Sequence, residues 1–161
     1  MIVNIDPWEY EWASSVGVKR FIANWKKQDA KHYDPSRMEA NRTAQVASAL
    51  CELAVAKTIN QYWAGTAWAE SDHDNEKHRP DVGRNIEVRR VRTKNAVAVR
   101  KKQVGLGLIL FAAKAIEPEF QQIEVLGYLE YDKAWDLGEE SEFFETRYLP
   151  LTQLTKLKGD K

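Results

Sequence analysis

The sequence predicts an α+β fold: N-terminal helices followed by a mixed or antiparallel sheet of four or five strands. Three observations carry this. Helix-start signals at Asp6-Pro7 and at Asp34-Pro35-Ser36 each precede a stretch with apolar residues at helical spacing. From Asn85 onward the pattern changes to short alternating or β-branched runs, as strands require. Between the two regions, Gln61 to Arg79 shows no sustained period and reads as a long loop. The chain has 161 residues, 43% of them apolar, without a break in composition. One domain over residues 1–155 is expected, with a frayed Lys-rich end at 156–161.

At the first helix Asp6 serves as N-cap and Pro7, which has no donor to leave unpaired, as the first helical residue. The helix runs to about Gln28, with Trp8, Trp12, Val16, Ile22 and Trp25 as its core stripe and an exposed aromatic face as the alternative. The second helix starts with a capping box between Ser36 and Glu39 and runs to about Ile59, packing through Val46, Leu50, Leu53 and its alanines. Strands are expected at Ile86–Val91, Ala96–Val99, Leu106–Ala112 and Gln122–Tyr131. An edge strand is expected at Tyr148–Leu151, because proline removes a ladder donor, and a short helix or turn at Asp132–Leu137.

Formal net charge is zero, which argues against a uniformly basic nucleic-acid binder, but the sum hides an asymmetry. Lys77 to Lys102 holds ten Lys and Arg against two acids, and Ile116 to Arg147 holds ten acids against Lys133 and Arg147. The acidic block reads as a solvated face, the basic block as a directed one, since its charges share strands with apolar residues. The single Cys51, mid-helix among apolar residues, reads as a buried structural thiol. The opening MIVNIDPWEYEW has no basic or apolar leader pattern, so a cytoplasmic compartment is expected. The longest apolar run, Val104 to Ala113, is too short to span a membrane. No GxSxG, P-loop or GxGxxG occurs. His73, Asp72, Asp74, Glu76 and His78 match no metal-ligand spacing.

The informative stretch is RPDVGRNIEVRRVRTK, residues 79–94. On a strand, Glu87 and Arg89 share one face while Ile86 and Val88 share the other. Asp81 precedes Glu87 across Val82-Gly83-Arg84, where glycine can turn the backbone and bring the two carboxylates together. Converging carboxylates bind Mg²⁺ or Mn²⁺, hard cations that take oxygen ligands, and the surrounding Arg and Lys suit a phosphodiester backbone. Glu52, in ELAVAK, rises from a helix face of small residues; the alternative is an exposed helix glutamate.

Pro80-Asp81 followed by Glu87-Val88-Arg89 resembles the PD-(D/E)xK nuclease superfamily, whose core carries a helix-borne acid and then Asp, Glu and Lys on consecutive strands. The order ELAVAK, YW-G, PDVG, EVR, LGYLEYDKAW and YLP is similar to a group of uncharacterised bacteriophage proteins of this size, over roughly residues 50 to 151. The resemblance implies a three-layer α/β/α restriction-endonuclease-like core and metal-dependent hydrolysis of DNA. It implies Glu52, Asp81 and Glu87 as metal-holding acids, directly or through water, the Val88 carbonyl as a further ligand, and Arg89 in place of the lysine. Arginine cannot act as a base, so Arg89 would supply charge alone, or Lys101 and Lys102 on the next strand would supply it. Phosphate contacts are expected at Arg84, Arg90, Arg92, Arg100, Lys101 and Lys102, and duplex cutting would favour a homodimer. Two other readings stand beside this one: a nuclease fold that binds nucleic acid without cutting it, and a protein that caps a host enzyme through Glu139, Glu140 and Glu142.

Overall fold

The computed structural model describes residues 1–26, 38–67 and 79–159. In chain order they form β1 (Ile2–Asn4), α1 (Pro7–Lys26), α2 (Met38–Thr58), β2 (Ile86–Arg90), β3 (Ala96–Arg100), β4 (Ile109–Ala115), β5 (Gln122–Glu130), α3 (Tyr131–Leu137), β6 (Glu139–Glu140) and β7 (Thr146–Pro150). Among the described residues the architecture is mixed α+β, with three helices and two sheets.

The larger sheet has the order β1-β5-β4-β2, with β2 and β4 parallel and the other pairs antiparallel. Parallel neighbours cannot be joined by a tight hairpin. The chain between β2 and β4 accordingly leaves this sheet and supplies β3 to a second one, the antiparallel β3-β7-β6. β4 faces two cores by its period of two: Phe111, Ala113 and Ala115 pack beneath α2, while Leu110 and Ala112 pack beneath Val97, Val99 and Leu149 of the second sheet. The expected helical layer on this second face is replaced by that sheet and by α3. Among the described residues after 86 the longest helix is α3, with 7 residues.

Helix starts follow local chemistry. α1 begins at Pro7, and the Glu9 carboxylate reaches back to accept the Asp6 N–H at 2.8 Å, the return half of a capping box. The second start signal, residues 34–36, lies outside the described residues. The core stripe of α1 is rotated from expectation. Glu9, Ala13, Val16, Arg20 and Phe21 are buried, whereas Trp8 and Ile22 are exposed and Trp12 is half-buried. The cause is the crossing with α2: a Cβ on Gly17 would lie 2.5 Å from Val46 Cα, so only a small-residue face of α1 can approach α2 that closely. Gly17→Ala is expected to cost about 1–3 kcal/mol by overpacking, read as a lower urea midpoint at unchanged m-value.

Two strand expectations are corrected, and one strand, β1, was not expected. β4 starts at Ile109 rather than Leu106, because the Asp132 carboxylate accepts the Gly105 N–H at 2.8 Å and holds that stretch in a turn. β7 lies inside its sheet rather than at the edge. Its Pro150 is tolerated because the two-residue β6 pairs only with Arg147 and Tyr148 and never reaches it. β1, only 3 residues long, is too short for a periodic signal. No helix among the described residues is long and apolar enough to cross a membrane.

Candidate active site

A tight turn folds Asp81 back onto the start of β2, the strand that carries Glu87. The Asp81 and Val82 N–H groups both donate to Ile86 O, at 2.9 and 3.2 Å, and Ile86 N–H returns to Val82 O at 3.2 Å. Gly83 supplies the reversal at φ +57°, a conformation that glycine adopts without strain. β2 is an edge strand, and its backbone groups alternate: Asn85 O and Val91 N–H bond to β4, whereas those of Ile86 point outward. Val88 shares the outward side. The Asp81 Oδ2 accepts its N–H at 2.7 Å, so a carboxylate caps the sheet edge where another strand would otherwise pair.

Glu52 reaches the same place from α2. Burial chiefly, and then the Glu52 and Glu87 carboxylates, push the Asp81 carboxyl well above the usual range, against the opposing pull of the Val88 N–H and Arg89. Glu52 and Glu87 therefore both act on Asp81 electrostatically, although the acids come from a helix, a strand and a turn. Glu52 is buried rather than exposed, and its oxygens are committed. Arg20 of α1 grips it with both terminal nitrogens, at 2.6 and 3.0 Å, and the Trp63 indole N–H donates to Oε2 at 3.0 Å. Arg20 Nε in turn donates to Thr66 O at 2.8 Å. By contrast, Asp81 turns Oδ2 to the Val88 N–H and Glu87 turns Oε1 to Arg89, so each engages these partners through one oxygen.

Arg89 lies on the Glu87 face, its Nη2 2.9 Å from Glu87 Oε1. The same nitrogen donates to Gln103 Oε1, which also accepts the Tyr131 hydroxyl at 2.8 Å, and the Tyr131 oxygen accepts the Arg100 N–H at 2.9 Å. Burial opposes the charge on Arg89, but Glu87, Tyr131 and Asp81 outweigh it and hold the guanidinium pKa above its ordinary value. Arg89 is thus a fixed cation.

A cavity of about 200 Å³ opens beside Asp81, bordered by Arg20, Gln61, Tyr62, Arg79 and Gly83. Of the expected phosphate contacts, Arg84 is exposed in the adjoining turn. Arg90 and Arg92 border a separate groove with Lys114, Glu117 and Glu124. Arg100, Lys101 and Lys102 lie elsewhere, at the end of β3 and in the 3₁₀ turn Lys101–Gln103, so the two lysines stand in that turn rather than on a strand. Glu139, Glu140 and Glu142 are exposed. Cys51 is fully buried, and burial pushes its thiol up to about 12, as expected for a structural thiol.

Among the described residues no three Asp, Glu, His or Cys side chains stand in position to hold one ion together. Asp72, His73, Asp74, Glu76 and His78 lie outside them. Comparison with protein-family models, curated proteins and solved structures finds no match for this chain.

Sequence reasoning missed Arg20, Trp63, Gln103 and Tyr131. Trp63 and Tyr131 fall within the YW-G and LGYLEYDKAW stretches without a role being read for either, whereas Arg20 carried a signal of its own. It falls three residues after Gly17 and four after Val16, a charge inside the buried stripe once that stripe is correctly phased. A charge so placed requires a partner.

Proposed function

We propose that the protein is a metal-dependent nuclease of the PD-(D/E)xK type, hydrolysing phosphodiester bonds in DNA. The observation that supports it best is Asp81 capping the edge of β2, within the electrostatic reach of Glu52 and Glu87 and beside a cavity bordered by Arg20 and Arg79. The donor set suits Mg²⁺ or Mn²⁺. Asp81 and Glu87 supply hard carboxylate oxygens, and the Val88 carbonyl belongs to the outward side of the strand that Asp81 caps. Such an ion, when bound, supplies Lewis-acid polarisation of a phosphoryl oxygen and a water of lowered pKa.

The protein's own residues divide the remaining work. Glu52, held by Arg20 and Trp63, acts from behind the pair, through water and through its field on Asp81. Arg89 cannot take a proton at neutral pH and contributes positive charge beside Glu87, with Gln103 fixing its direction. Arg79 and Arg84, flanking the turn, are placed to hold the substrate backbone.

The test is a plasmid and oligonucleotide cleavage assay in Mg²⁺ and Mn²⁺, run beside Asp81→Ala and Glu87→Ala. Cleavage by the wild type and its loss in both variants is the expected result. Activity surviving in both would place the chemistry elsewhere. A second reading, nucleic-acid binding without cleavage, is favoured by one observation: both Glu52 oxygens are already occupied by Arg20 and Trp63. Calorimetry that finds no Mg²⁺ or Mn²⁺ site in the wild type would select it.

A further inference from the structure

The outer face of the second sheet carries a patch that the Asp81–Glu87 site does not use. Val97, Val99 and Leu149 point into the core, so the strand period sends Ala98, Arg100 and Tyr148 the other way. The loop between β6 and β7 closes one side of this face and presents Phe143 and Phe144, 54% and 90% exposed. Polar contacts fix the loop. Ser141 Oγ donates to Thr146 O at 2.8 Å and accepts the Phe143 N–H at 3.1 Å, and the Lys101 N–H donates to Glu145 O at 3.0 Å. Between loop and sheet lies a cavity of about 510 Å³, lined by Arg100, Lys102, Phe143, Phe144, Glu145 and Tyr148. Lys94 Nζ sits 4.2 Å over the Tyr148 ring and brings a further cation to the same face.

One exposed phenylalanine needs no explanation, but two adjacent rings held beside several cations make a specific combination. Aromatic faces stack on unpaired bases while Lys and Arg hold the phosphates between them. A duplex hides its base faces and would engage the cations alone. Glu142 and Glu145 flank the rings and repel phosphate there, which assigns the rings to bases and the backbone path to Arg100 and Lys102. We infer that this face binds single-stranded nucleic acid, with bases on Phe143 and Phe144 and phosphates at Arg100 and Lys102. Its end nearest the acids is tied to them, since the Arg100 N–H donates to Tyr131, whose hydroxyl shares Gln103 with Arg89. That the bound strand is also the substrate rests on the hydrolytic reading; the binding itself does not.

Fluorescence anisotropy with labelled single-stranded DNA, single-stranded RNA and duplex DNA of one sequence, in EDTA, tests it without cleavage. Both single strands are expected to bind more tightly than the duplex, and a preference between them names the sugar. Phe144→Ala is expected to weaken single-strand binding by about 5- to 150-fold, Phe144→Trp to keep it, and duplex affinity to stay unchanged. Equal affinity for single strand and duplex, or a Phe144→Ala variant that binds like the wild type, overturns the proposal. Cleavage is then measured separately with Mg²⁺. Binding without cleavage removes the hydrolytic reading and leaves this one standing, and cleavage without Phe144-dependent binding does the reverse.

Discussion

Arg20→Met is expected to lower the unfolding free energy by about 3–5 kcal/mol, because it leaves the Glu52 carboxylate buried and without its cation. Both side chains of this pair are more than nine-tenths buried, at 8% and 7% exposure. A loss of that size is a large part of the roughly 5–15 kcal/mol that holds a domain folded, so the variant should unfold at markedly lower urea. The companion Arg20→Met/Glu52→Gln removes both charges yet keeps an acceptor for the Trp63 indole, and should recover most of the loss. If the double variant is no more stable than Arg20→Met alone, the cost lies in lost packing or in the Thr66 contact rather than in the orphaned carboxylate.

Asp81→Asn is expected to change activity and stability in opposite directions. As a proposed metal ligand, Asp81 should cost at least as much as an outer-shell partner, so cleavage falls by about 100-fold or more. Stability moves the other way. The Asp81 carboxyl is raised in the folded protein by burial and by Glu52 and Glu87, so the folded state keeps this proton at pH values where the unfolded chain has released it. The folded state then binds more protons, and stability falls as pH rises from the ordinary Asp value near ~3.9 through the raised one. Asparagine keeps an oxygen for the Val88 N–H but carries no charge into this group of acids. At neutral pH in EDTA the variant should melt roughly 2–4 °C higher, the shift that about 1 kcal/mol produces in a chain of this size. Below the ordinary Asp pKa the two melting curves should converge. A melting temperature unchanged or lowered at neutral pH would remove the like-charge account.

Asp81 and Glu87 were legible because their approach is local: Gly83 turns the chain, and the strand period aims Glu87 and Arg89 to one side. Glu52 was legible only as an unusual residue on a small-residue face; its partners were not, since Arg20 lies 32 residues away in another helix. The roles of Gln103 and Tyr131 were not legible, because a buried amide and a buried phenol look ordinary until the fold sets one against the other and both beside Arg89.

The same division runs through the architecture. Caps, turns and side-chain periods depend on neighbours a few residues apart, and from these the sequence alone determined the start of α1, the four main strands in order and the turn at Gly83 between Asp81 and Glu87. The tertiary structure decided which side of α1 is buried, because Gly17 must cross Val46. It also decided that β3 leaves the sheet containing β2 and β4, and that Arg20 and Glu52 share one buried pair. These outcomes are set by steric fit and charge compensation between segments far apart in the chain, which no local pattern encodes.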